Sequence, residues 1–136
     1  MRTEEYLNQI HKFDRMIDNR MLDIGRLRAI ATSTTIPPKD VNVKTSSDKD
    51  KMGNIVTRIV ELEKEVNTLI DKRHIILQQI ENMADYKEYD VLWQRYVQMK
   101  SIKEIKIEKI SSIRRVQQIL SNAITNFESM YGKEYI

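Results

Sequence analysis

The sequence predicts an all-α protein: two long heptad-patterned helices, arranged as an antiparallel hairpin or a coiled-coil dimer, followed by a small helix-turn-helix bundle. Three observations predict it. The 136 residues include only 3 Gly and 2 Pro beside 32% charged and 40% hydrophobic residues, the balance of long helices and not of a turn-rich β protein. Two long stretches repeat apolar residues at steps of 3 and 4. After Asn82-Met83-Ala84-Asp85 that rhythm breaks into shorter pieces.

The first stretch, Thr3 to Ala31, places Tyr6, Ile10, Phe13, Ile17, Ile24, Leu27 and Ala31 on one stripe, with Arg20 at the one polar seam position. Thr3 offers a hydroxyl cap, and Glu4 and Glu5 put negative charge where backbone N–H groups are free. From Thr32 to Asp50 the period stops. That segment holds both prolines, is rich in Ser, Thr, Asp and Lys, and reads as a flexible linker.

The second stripe runs through Met52, Ile55, Ile59, Leu62, Val66, Leu69, Arg73, Ile76, Ile80 and Met83. Each seam contains one arginine, so Arg20 and Arg73 are expected to meet acidic residues across it. The division that follows is a helical region over 1–84, with the linker at 32–50, and a helix-turn-helix over 85–136.

Three short helices are expected in the latter, at about Tyr86 to Gln98, Ser101 to Lys109 and Ser112 to Ser129. In the last, Val116, Ile119, Leu120, Ala123 and Phe127 share one side. Arg114, Gln118, Ser121 and Thr125 lie opposite, flanked by Arg115, Gln117 and Asn122. Arg can fork onto guanine and Gln onto adenine in a major groove, while Ser and Asn can reach phosphates. Ser112 is placed to cap this helix and aim its free N–H groups at a phosphate. Trp93 and Tyr96 could stack on bases, but with Leu92 they are read as core, as are Ile102 and Ile105.

Charge sharpens this assignment. Val91 to Ile136 carries 8 basic and 4 acidic residues, whereas Lys51 to Asp90 carries 6 and 8. The candidate nucleic-acid-binding residues are Lys100, Lys103, Ser112, Arg114, Arg115, Gln117, Gln118 and Ser121, with Lys106 and Lys109 continuing a lysine spacing suited to backbone contact.

Other chemistry is sparse. There is no Cys, and His11 and His74 stand isolated, so no metal site is expected. Without a phosphate-binding Gly loop or a nucleophile-base pair the chain is read as non-enzymatic, needing neither cofactor nor small-molecule substrate. Glu61, Glu65 and Asp71 are read as solvated flanks of the seam. No apolar run suggests a signal peptide or a bilayer span, and the expectation is a cytoplasmic protein of a bacterial host cell with no membrane partner.

The run LWQRYVQMKSIKEIKIEKISSIRRVQQILSNAITNF resembles region four of bacterial sigma factors, at Leu92, Arg95, Tyr96, Ser101, Glu104, Ile105, Ser112, Val116 and Ala123. With EYLNQIHKFDRMIDNRMLDIGRLRAIATSTT and DKMGNIVTRIVELEKEVN ahead of it, the chain is similar to small phage and prophage proteins of unknown function from Gram-positive bacteria. Those proteins join a coiled-coil front half to such a tail. The resemblance implies a DNA-binding transcription regulator whose partners are duplex DNA and RNA polymerase, while the heptads leave open either a hairpin or pairing with further copies of the chain. Lys106 and Lys109 depart from the family's pattern, which has a small and an apolar residue there; Ile107 and Ile110 are available to restore the core contacts. The competing expectation is a coiled-coil structural or adaptor protein, including one with a DNA-packaging role.

Overall fold

The computed structural model describes residues 1–34 and 46–136. These residues form an all-α fold. Two long helices, α1 (Thr3–Thr34) and α2 (Ser46–Glu81), are followed by α3 (Tyr86–Leu92), which runs directly into a π-helical turn (Trp93–Val97), and by α4 (Ile113–Tyr131) with a short 3-10 turn at Gly132–Glu134. Both long helices extend into the expected linker, so its residues 32–34 and 46–50 are helical, while α2 ends at Glu81, ahead of the last expected seam residue Met83; the remainder of that linker, 35–45, lies outside the described residues. None of the helices is long and apolar enough to cross a membrane, among the described residues.

The chain forms two compact units. One comprises residues 15–70, and the other joins 1–14 to 71–136. The contacts therefore do not divide at 84/85, where the rhythm of the sequence changes. Leu7, Ile10, Ile76 and Ile80 share a buried core with Leu92, Val116, Ala123 and Phe127.

In the 15–70 unit the two helices run antiparallel. Ile24, Leu62 and Val66 are buried together, with Ile17, Leu27 and Ile59 packed around them. Arg20 sits in the seam as expected and donates from Nε to a Glu65 carboxylate oxygen at 2.9 Å, and Arg28 reaches Glu63 at 2.7 Å. Arg20 is held because its aliphatic stem covers the seam while its head remains partly solvated.

In the other unit the seam arginine Arg73 donates from Nε to an Asp14 carboxylate oxygen at 2.6 Å. Near the start of α1 an aromatic cluster closes the core. Tyr6 stacks on Tyr135 with centroids 4.0 Å apart, and Phe127 lies 6.0 Å from Tyr6 and 5.0 Å from Tyr131. The Thr3 hydroxyl, expected to cap α1, is instead hydrogen-bonded to the Tyr135 hydroxyl at 2.9 Å. Tyr6 donates to Gln79 at 2.6 Å, and Gln79 donates to Glu134 at 2.7 Å.

The largest departure from expectation is between Gln98 and Ser112. The helix expected from Ser101 to Lys109 is not formed; this stretch is a series of turns ending in a single bridge between Ile107 and Ile110. Ser101 and Glu104 begin as a helix start would, with the Ser101 N–H donating to Glu104 at 3.0 Å and the Glu104 N–H bonded to the Ser101 carbonyl. The turn is not propagated, because the buried side-chain amide of Gln94 takes both backbone groups of Lys106: it donates to the carbonyl at 2.7 Å and accepts from the N–H at 3.0 Å. Lys109 then adopts φ 65°, which ends any right-handed helix. Ile105 and Ile107 are both buried with Lys106 exposed between them, the alternation of extended backbone.

Candidate nucleic-acid interface

Helix α4 positions the candidate face. Its N-cap is Ser112, whose hydroxyl accepts from the Arg115 N–H at 3.3 Å, so one of the four free N–H groups is satisfied by the side chain the sequence pointed to. Val116, Ile119, Leu120, Ala123 and Phe127 are buried, which fixes the rotation of the helix about its axis. Burying such side chains is worth roughly 1.5–3 kcal/mol for each large one, so the face cannot turn inward without losing several of them.

The side left outward carries Arg114, Arg115, Gln117, Gln118, Ser121, Asn122 and Thr125, all exposed. Arg114, Gln117, Gln118, Ser121 and Asn122 line one shallow depression on it. Four of the eight candidate residues are thus gathered there. Arg115 stands beside them and donates from Nη1 to the Gln118 side chain at 3.3 Å, and Ser112 lies at the helix start. Thr125 is occupied locally, its hydroxyl donating to the Ser121 carbonyl at 3.0 Å. From Ser111 to Phe127 there is no acidic residue, so nothing on this run repels a phosphate.

The lysines divide. Lys103 is exposed on the connection, as are Lys106 and Lys109. Lys100 is half-buried, its ammonium 3.3 Å from the Gln94 side-chain oxygen and its carbonyl accepting from Arg95 at 2.9 Å, which ties it into the support of the connection. Neither Lys100 nor Lys103 lines the α4 depression. Glu104, one of two acidic residues on the connection, has its pKa lowered by the hydrogen bond from the Ser101 N–H and then by that from the Ser101 hydroxyl.

Trp93 and Tyr96 belong to the core side, as expected: Tyr96 is buried and Trp93 half-buried against the same cluster. Asn122 is the depression-lining residue outside the candidate set, and the signal for it was its place one turn beyond Gln118. No group of three or more potential ligand side chains is placed to hold a metal ion among the described residues.

No protein-family model, curated protein or solved structure matches this chain.

Proposed function

We propose that the protein is a DNA-binding transcription regulator of phage or prophage type that engages duplex DNA through the exposed face of α4. The observation that carries this reading is an acid-free helix face of Arg, Gln, Ser and Asn side chains held outward by a buried opposite side, starting at a Ser-capped N-terminus. Arg114 and Gln118 are one turn apart, the spacing at which a guanidinium and an amide can meet successive base edges. The cap end carries the positive end of the helix dipole, suited to an adjacent phosphate. Lys103, Lys106 and Lys109 supply sequence-independent attraction beside it. In this reading α4 is the reading helix of a sigma-region-four-like helix-turn-helix, α3 with its π turn is the supporting helix, and the connection 98–112 stands where the middle helix would be. RNA polymerase is the corresponding protein partner.

The test is anisotropy of labelled duplex DNA across a salt series. Affinity falls as salt rises, and changing Arg114 and Arg115 together to Ala flattens the salt slope by about 2 if both touch phosphates, with a larger loss where either reads a base. Binding indifferent to the double change, or absent at low salt, overturns the reading. Selection from random duplexes then yields the preferred site.

A second reading, a structural or adaptor protein that self-associates through its long helices, is favoured by the exposed Val56, Val60 and Ile70 on α2. These fall within about 80° of one another at 100° per residue. A stable oligomer whose assembly ignores DNA supports this second reading.

A further inference from the structure

Tyr86 is the one aromatic among the exposed large hydrophobic side chains of the described residues, and it begins a ladder. Tyr86, Tyr89 and Trp93 follow one another along α3 into the π turn, with centroids 5.8 Å apart at each step. Tyr89 and Trp93 are half-buried on the edge of the core, whereas Tyr86 is 70% exposed and contributes little to it. Tyr86 also forms part of the wall of two neighbouring depressions. One is completed by Glu81, Met83, Ala84 and Tyr89, and the other includes Asp85, Asp90, Ile107 and Glu108.

The charge around the ladder is opposite to that of α4. Four carboxylates, Glu81, Asp85, Asp90 and Glu108, line these depressions against two ammonium groups, Lys87 and Lys109. None of the four is in an ion pair among the described residues. Asp85 and Asp90 are oriented by neutral donors, the Lys87 N–H at 2.8 Å and the Gln94 amide at 2.9 Å, which fix the carboxylates without neutralising them. The Tyr89 hydroxyl feels this field: its pKa is raised first by burial and then by the charges of Glu81, Tyr86 and Asp90.

We propose that the Tyr86–Tyr89–Trp93 ladder with its carboxylate rim is a docking site for an arginine-bearing segment of a partner protein. A guanidinium is planar, stacks on an aromatic face and forks onto carboxylates, so one side chain meets both features. Met83 lines one depression and Ile107 the other, so each offers an apolar contact to aliphatic residues beside the arginine. Nucleic acid is disfavoured because four carboxylates would face its phosphates. The exposed Tyr86 ring supplies contact area at low entropic cost, as tyrosines at interface hot spots do.

Trp93 is the one tryptophan in the chain, so its fluorescence reports on the ladder directly. The experiment is selection of twelve-residue peptides from an unbiased display library on the whole protein, followed by fluorescence titration of the synthetic winners. The expected winners carry Arg beside apolar residues, perturb Trp93 emission, weaken with salt, and lose about tenfold or more in affinity on Tyr86→Ala, with Glu81→Gln costing less. Helicity of Tyr86→Ala is checked by circular dichroism and should be unchanged, as the side chain is outside the core. Winners without Arg, winners unaffected by Tyr86→Ala, or no winners overturn the proposal. A winner reproducing the Ile113–Gln118 segment with its two arginines would identify the partner as a second copy of this chain.

Discussion

The side-chain amide of Gln94 pairs with the backbone of Lys106 as a neighbouring strand would, donating to its carbonyl at 2.7 Å and accepting from its N–H at 3.0 Å. Gln94 is 6% exposed and is the hydrogen-bond partner of both Lys106 backbone groups. Changing Gln94 to Ala is expected to lower stability by about 2–3 kcal/mol, because it leaves two backbone groups without their partner. Gln94→Glu removes the donor, adds buried charge and should be no milder. Urea unfolding followed by circular dichroism measures both.

The seam arginines offer the opposite sign. The Arg20 and Glu65 side chains are 29% and 44% exposed, so their ion pair is worth only about 0–1 kcal/mol. Arg20→Leu exchanges it for partial apolar burial and should raise stability by about 1 kcal/mol, seen as a higher Tm. A lower Tm would mean that the pair is worth more than its exposure implies.

Lys109 holds φ 65° without being glycine. Lys109→Gly relieves a cost of about 1–2 kcal/mol while gaining some unfolded-state entropy, for a net stabilisation of about 0.5–1 kcal/mol. The same change removes one positive charge from the connection, so a Lys109 contact with phosphate would show as a salt slope lower by about 1.

Alkaline pH should unfold the unit that joins the two ends of the sequence. The pKa values of Tyr6, Tyr96 and Tyr135 are all raised, chiefly by burial; for Tyr6 and Tyr135 hydrogen bonds with Gln79 and Thr3 partly oppose the shift. In the unfolded chain these hydroxyls ionise near their ordinary value of about 10. Their contribution is therefore complete below that pH and is lost as pH rises through the higher folded values. Ultraviolet titration should show a fraction of tyrosines ionising late, together with the loss of helix.

The seams were legible in the sequence because one apolar stripe per helix meets one partner, and every expected seam position from Tyr6 to Met83 is buried or half-buried. Leu7 and Leu77 were missed because they lie beside the stripe and face the core shared with α4, a further partner that a two-helix heptad does not encode. The Ser112 cap and the buried side of α4 were legible from local spacing alone. The stretch from Ser101 to Lys109 misled because its Ser101–Glu104 start is helical in kind, while its fate is set by Gln94 from outside the segment. Its one local warning was the alternation of Ile105, Lys106, Ile107 and Glu108.

The bond between Thr3 and Tyr135 joins residues 132 positions apart, and Tyr6 stacks on the same ring. A core built from residues so far apart in the sequence imposes an order on folding. On the ribosome the first turns of α1 emerge with Leu7 and Ile10 uncovered, and they wait until α4 has been made before their burial can be completed. The 15–70 unit, whose contacts are nearer in sequence, has its partners sooner and can close first.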